Sequence, residues 1–246
     1  MPILEAKSVT RHFGGLAAVS NVDFELMEGE ILGLIGPNGA GKTTLFNLIS
    51  AALPPRSGSI TFKGKEIVGL KPHQICRMGI ARTFQTVKVF SNMSAFKNVL
   101  LGTYFGLENR MTTTDAASKA HALLEFVELA EAAETVAKDL TLANQKRLEV
   151  ARALATQPEV LLLDEMMEGL NPSEVARAMS LVKEIRDRGV TVIMIEHVMR
   201  AIMSICDRII VLHHGAKIAE GTPEEISAKR KVIEVYFGER SDARNT

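Results

Sequence analysis

The sequence predicts an α/β fold: a mixed, largely parallel sheet with helices on both faces, joined to an antiparallel β subdomain and to an inserted helical subdomain. Three observations predict it. A glycine-rich segment, GPNGAGKTT at 36–44, stands between an apolar strand-like run and an amphipathic helix-like run. Three apolar runs, VLLLDE (160–165), VTVIMIEH (190–197) and RIIVLHHG (208–215), recur late in the chain with a helix signal between the first two. Strands that alternate with helices imply a parallel sheet. Between these two parts lies a long stretch of helical periodicity.

Taken in order, the first thirty residues read as two short strands around a Gly14-Gly15 turn, and SITFKGKEI (59–67) as another strand with its own turn. EILGLIG (30–36) reads as a buried strand feeding the glycine-rich segment, and Leu45, Leu48 and Ile49 share one face of the helix that follows. Pro72 opens a short helix that Gly79 can close. From about 85 to 140 the pattern is helical, with Ala120, Leu123, Leu124, Val127 and Ala130 at helix spacing as core contacts. After VLLLDE, Asn171 can cap a helix, Pro172 suits its first turn, Glu174 holds the capping-box position and Gly189 ends it. TPEE (222–225) starts a final helix with the same capping spacing, and the terminal SDARNT is expected to fray.

The segment 36–44 fits the pattern G-x-x-x-x-G-K-[ST] at Gly36, Gly41, Lys42 and Thr43. This is the phosphate-binding loop of a P-loop NTPase core. Glycines let the backbone curl so that consecutive N–H groups converge on an anion, and the helix that follows adds its positive end. Gly36, Asn38, Gly39, Ala40, Gly41, Lys42, Thr43 and Thr44 are the candidate phosphate-binding residues. Lys42 reaches the β- and γ-phosphates as a point charge, and the Thr43 hydroxyl holds Mg²⁺. A glycine-rich turn with a chance lysine would not explain the order of strand, loop and helix.

LLLDE (161–165) supplies the other half of such a site. An apolar strand ending in Asp164 puts a carboxylate at the sheet edge, where it can hold the Mg²⁺ shell, and Glu165 beside it can polarise an attacking water. Asp164 follows Lys42 by 122 residues (164 − 42), too many for one crossover helix, so a subdomain is inserted between them. His197 ends a later strand, where it can contact a γ-phosphate or orient Glu165, since ligands gather at the carboxyl ends of parallel strands. Gln85, in RTFQ, lies where the core gives way to the helical insert; alone it is an ordinary polar residue. His12, His73, His121, His213 and His214 show no ligand spacing, and the last two read as a strand end.

The chain of 246 residues is long enough for one large α/β domain or a core with a smaller inserted subdomain. Its 29 basic and 29 acidic residues cancel, so no global field recruits nucleic acid or an anionic membrane surface. Cys76 and Cys206 lack metal-type spacing and read as reduced thiols of a cytoplasmic protein. The N-terminal segment lacks signal-peptide features, and no run reaches the roughly eighteen apolar residues that span a bilayer. Any membrane role therefore comes through a partner.

Together these residues resemble the nucleotide-binding subunit of ABC transporters over nearly the whole chain. The motifs are GPNGAGKTT, ARTFQ (81–85), a signature-like LTLANQKRLEVARALA (140–155), LLLDE, GLNP (169–172) and IEH (195–197). RHFGGLAAVSNVDF, GIARTFQ and DRIIVLHHGAKIAEGTPEEI are similar to the branched-chain (hydrophobic) amino acid importer group, whose wider relatives include urea and short-amide importers. The resemblance implies ATP and Mg²⁺ as ligands, with Phe13 stacking on adenine and Gln85 touching Mg²⁺ or the lytic water and sensing the membrane partner. It implies residues 1–84 and 158–246 as the core with its antiparallel β subdomain, and 85–157 as the helical subdomain. It also implies a dimer with a second ABC ATPase subunit, a copy or a paralogue, in which Thr141 and Ala143 of one subunit meet the γ-phosphate held by the other. Integral membrane permease subunits would tie the pair to the cytoplasmic face of the inner (plasma) membrane as a peripheral assembly, with no nucleic acid involved.

Two departures from the family pattern stand out. The signature reads Leu140-Thr141-Leu142-Ala143-Asn144, so that Thr141 keeps a hydroxyl and can cap the next helix, while Ala143 replaces a glycine. If that position needs φ > 0, its methyl costs about 1–2 kcal/mol. Met166-Met167 follows Asp164-Glu165 where proline is usual, which is expected to loosen the turn. One alternative is an ATP-gated clamp that dimerises but hydrolyses weakly. A DNA-repair ATPase would need a long coiled coil, a translation ATPase two cores, a GTPase an N-K-x-D motif, and a small-molecule kinase leaves the signature-like helix unexplained.

Overall fold

A computed structural model describes residues 1–106 and 112–237; the terminal SDARNT lies outside them. Strands β1 (Pro2–Phe13) and β2 (Leu16–Met27) form a long antiparallel ribbon across the Gly14-Gly15 turn. Both are longer than the short strands expected, because repeated register shifts let the ribbon bend instead of stopping. After β3 (Ile31–Ile35) come the glycine-rich loop, helix α1 (Lys42–Ile49), and strands β4 (Ser57–Phe62) and β5 (Lys65–Glu66). β4 joins β1, giving an antiparallel sheet of order β2-β1-β4-β5. Helix α2 (Pro72–Met78) starts at proline and ends at Gly79, whose left-handed φ of 107° closes it as expected.

Strand β6 (Ile80–Arg82) leads into α3 (Ala95–Thr103), α4 (Thr113–Phe126) and α5 (Leu142–Ala155). Ala120, Leu124 and Val127 are buried as expected; Ala130 is exposed, in a short 3-10 turn beyond the end of α4. The remaining elements are β7 (Val160–Asp164), α6 (Pro172–Asp187), β8 (Thr191–Ile195), α7 (Met199–Ile205), β9 (Arg208–His213), β10 (Ala216–Gly221), α8 (Pro223–Ala228) and α9 (Arg230–Phe237). α6 and α8 each begin with the capping box read from the sequence, at Asn171/Glu174 and Thr222/Glu225. α8 is not the last helix, since α9 follows it.

The larger sheet has the order β10-β9-β3-β8-β7-β6, parallel throughout except for β10 at one edge. Every residue of β3, β7 and β8 is buried, which is why they read as unbroken apolar runs. Alternate residues serve opposite faces. Ile31, Leu161, Leu163, Val192 and Met194 join the hydrophobic cluster shared with α3 to α8, whereas Leu32, Leu34, Leu162, Ile193 and Ile195 join the one shared with α1, α2 and the antiparallel sheet. The sheet is thus the wall between two cores, and the carboxyl ends of β3 and β7 open on the same side.

Candidate functional site

The loop after β3 is shaped by its glycines and by the strands around it. A Cβ on Gly36 would collide with the Leu212 carbonyl oxygen, and one on Gly41, at φ 101°, with that of Ala18. Only glycine allows this close approach. The turn between β9 and β10 braces the loop from outside: Gly215 N–H donates to Ala40 O at 3.0 Å, and Ser20 N–H donates to Gly215 O at 2.8 Å. Lys42 starts α1 with its ammonium folded back onto the carbonyls of Gly36 (2.7 Å) and Pro37 (3.2 Å). Burial lowers its pKa, and the nearby carboxylates of Glu165 and Asp164 oppose that shift.

A cavity of about 510 Å³ opens over this loop. Its walls include Phe13, Asn38, Gly39, Ala40, Gly41, Lys42, Thr43 and Thr44, together with Gln85 and Glu165. Residues far apart in sequence therefore meet around one space. Phe13 stands at the cavity with 46% of its surface exposed, and the Arg11 guanidinium lies 5.2 Å from its ring centre. His214, read from sequence as a quiet strand end, also lines the cavity; β9 ends one residue earlier and His214 turns at φ 48°.

β7 delivers the acidic pair. Asp164 is buried, and its Oδ2 accepts from Arg82 Nη2 at 2.8 Å. Arg82 comes from edge strand β6, also donates to Asn47 Oδ1 of α1 (2.6 Å), and lies near the Phe46 and Phe84 rings. Asp164 Oδ1 is buried without a hydrogen-bond partner. An oxygen left in that state is costly unless a donor or cation completes it, so the residues fit a metal ion.

Glu165 leaves the strand at φ 53°, in the left-handed region, at a cost of about 1–2 kcal/mol for a residue with a side chain. Its Oε2 accepts from Gln85 Nε2 at 2.8 Å, and its Oε1 lies 2.9 Å from His197 Nε2. The contact with Glu165 is one of the two that the position of His197 suggested. The turn that follows is not loose, as the Met166-Met167 pair suggested. Both methionines are buried, Met167 N–H donates to Glu196 Oε1 at 2.8 Å, and Lys146 Nζ of α5 donates to the carbonyls of Glu165 (2.8 Å) and Glu168 (2.7 Å). Burial lifts the Glu196 carboxyl to about 7, and its Oε2 is buried without a partner.

The signature-like residues stand apart from this cavity. Thr141 caps α5, its Oγ1 accepting from Asn144 N–H at 3.3 Å, as its position suggested. Ala143 lies within the helix and is nearly buried, so its methyl carries no left-handed penalty. Sequence reasoning missed Arg82, Lys146, Glu196 and His214 as parts of the site. Arg82 had a signal, since a lone arginine closes an apolar edge strand just before Gln85; Lys146 and Glu196 had none.

Comparison with known proteins fits this geometry. The family model described as ABC transporter matches residues 19–168, and that described as branched-chain amino acid ATP-binding cassette transporter matches residues 216–242. The chain is 43% identical over 251 aligned positions to the high-affinity branched-chain amino acid transport ATP-binding protein LivG of Salmonella typhimurium, covering 97% of this chain and 98% of that one. It is 41% identical to the BraF protein of the same description from Pseudomonas aeruginosa, with the same coverage. Among solved structures, the ADP conformation of MJ1267, an ATP-binding cassette of an ABC transporter, superposes with a TM-score of 0.87 at 30% identity over 97% of this chain and 100% of that one. The dimeric post-hydrolysis state of the cassette MJ0796 bound to ADP and Pi gives 0.81 at 26% identity over 89% and 98%.

Proposed function

The chain belongs to the ABC transporter family of ATP-binding cassettes, and from that premise we propose that it powers an importer of branched-chain or other hydrophobic amino acids. It is an ATPase subunit of the P-loop type. The observation that carries the mechanism is Glu165, held between Gln85 and His197 at the wall of the cavity that the phosphate loop lines.

Main-chain N–H groups of the loop and the Lys42 ammonium bind the phosphates of ATP, and Phe13 offers its ring to the adenine. Thr43, Asp164 and Gln85 would hold Mg²⁺, which would supply neutralisation of the phosphate charge. Glu165 is the general base: it takes a proton from water as the water oxygen bonds to the γ-phosphorus, and the bond from that phosphorus to the bridging oxygen breaks to release ADP. His197 and Gln85 fix the two carboxylate oxygens so that the base stays aimed. Thr141 and Ala143 close over the γ-phosphate held by the partner subunit, a copy or a paralogue.

We take residues 85–157 as a unit that moves against 1–84 and 158–246. Integral permease subunits would read that movement and hold the pair at the cytoplasmic face of the membrane, since among the described residues no helix is long and apolar enough to cross it. A second groove of about 510 Å³, lined by Phe84, Lys88, Phe90, Leu101, Phe105 and Arg152, begins beside Gln85 and suits such a contact.

The test is ATP turnover by the assembled transporter. Glu165→Gln should bind ATP normally, lose roughly 10²–10⁴ in rate, and accumulate as the closed dimer. Turnover at the parent rate would exclude Glu165 as the base. Stimulation by leucine, isoleucine or valine with their binding protein supports the cargo, and stimulation by urea instead would overturn it.

A further inference from the structure

Helix α5 is attached to both of the loops that aim Glu165. Lys146 grips the turn that carries Glu165, through the carbonyls of Glu165 itself and of Glu168. One turn further on, Glu149 Oε1 accepts from Lys88 N–H at 3.0 Å, in the segment that follows Gln85. Lys146 is 7% exposed, and both of these hydrogen bonds go to main-chain oxygens rather than to a carboxylate. Leu148, Val150 and Ala151 of that helix are fully buried, so hydrophobic packing also anchors α5 in the core. One carbonyl that Lys146 grips belongs to Glu165, whose own φ is left-handed without a glycine, and the other to Glu168, beyond a turn that lacks the proline usual at Met166.

We propose that Lys146 is a positioning residue for Glu165, through which α5 sets the aim of the general base. This rests on the reading of Glu165 given above. The N-terminus of the same helix carries Thr141, the residue proposed to meet the partner's nucleotide. Lys146 lies five positions after the N-cap Thr141, a rise of about 7.5 Å at 1.5 Å per residue. A rigid helix transmits a shift at its end over that distance to the ammonium and thence to the turn. Glu196 holds the same turn at Met167 N–H, between the two residues whose carbonyls Lys146 grips.

The experiment compares Lys146→Met and Lys146→Arg in the assembled transporter, alone and with Glu165→Gln. Lys146→Met should lower kcat roughly 10- to 100-fold, the cost of misplacing a reacting group by about an ångström, while KM for ATP stays within about twofold. Lys146→Arg, which can still donate to both carbonyls, should recover most of that loss. Added to Glu165→Gln, Lys146→Met should remove nothing further, because residues that act as one unit are not additive. Amide hydrogen exchange over residues 166–169 should quicken in Lys146→Met. Unchanged kcat, a rise in KM alone, or the same fold-loss in the Glu165→Gln background would overturn the proposal. If Lys146→Met does not fold, Lys146→Gln, with fewer donors, replaces it under the same criteria. Should Glu165→Gln alone turn over normally, the failure lies with the base assignment, and that variant reports it by itself.

Discussion

Residues 36–44 hold their shape chiefly through their own main chain, with one main-chain brace from Gly215: glycines pass where no Cβ fits, and the Lys42 ammonium closes back on the carbonyls of Gly36 and Pro37. Residues 164–168, across the same cavity, hold theirs through side chains sent from elsewhere. Arg82 comes from β6, Lys146 from α5, Glu196 and His197 from the end of β8, and Gln85 from the segment after β6. A loop of the first kind can be disabled by adding one methyl group. A turn of the second kind is disabled by removing a group that lies between 19 and 82 residues away in sequence.

The largest effect should come from Arg82→Met. It leaves the Asp164 carboxylate buried without its counter-charge, and breaking such a pair costs about 3–5 kcal/mol. Chemical denaturation should show that loss, and adding Asp164→Asn should return a large part of it. A loss below about 1 kcal/mol would mean that the pair is as weak as a surface one, and the contrast between the two regions would fail there.

The next effect is a pH dependence located in the turn. Glu196 has an ordinary pKa of 4.5 that burial raises to about 7 in the folded chain. A folded state that binds the proton more tightly is favoured at low pH. The contribution is therefore full below about 4.5 and is lost as pH rises to about 7, on the order of 3 kcal/mol in all. Melting at pH 5 and pH 7.5 should show the parent losing more stability over that interval than Glu196→Gln, which cannot titrate. Equal slopes would place the titration elsewhere.

The smallest change sharpens the other side. Gly39 sits at φ 79° with open space where a Cβ would go, whereas Gly41 faces the Ala18 carbonyl. Gly39→Ala should therefore cost only the backbone preference, about 1–2 kcal/mol or roughly tenfold in ATP affinity, while Gly41→Ala should cost more. Equilibrium nucleotide binding by the two variants checks the order, and the reverse order would show that sterics do not shape the loop.

This contrast also explains what could be read from the sequence. The phosphate loop was legible because the glycines and the lysine that define it lie within a nine-residue window bounded by a strand and a helix, whereas its outside brace at Gly215 was not. Asp164 and Glu165 were legible because four apolar residues carry them to a sheet edge. The capping boxes of α6 and α8 and the Thr141 cap are equally local, and each stands where its spacing put it. Arg82 meets Asp164 across 82 residues, and Lys146 reaches forward from inside a helix to a turn 19 residues ahead. Nothing in a local pattern distinguishes such a lysine from one on a solvated face. The misjudged turn at Met166 has the same origin, because its order comes from Lys146 and Glu196 and not from a proline of its own. Where the chain was read as stopping short, in β1 and β2, pairing with a neighbour extended each strand beyond its local signal.

The brace that the β9–β10 turn gives to the phosphate loop has a consequence for how the chain can be cut. Every motif proposed to carry the chemistry is complete by His197, yet the hydrogen bond from Gly215 to Ala40 and the Leu212 carbonyl against Gly36 come afterwards. A fragment truncated after the last motif would keep the whole recipe for ATP chemistry and lose the buttress on which its nucleotide cradle leans.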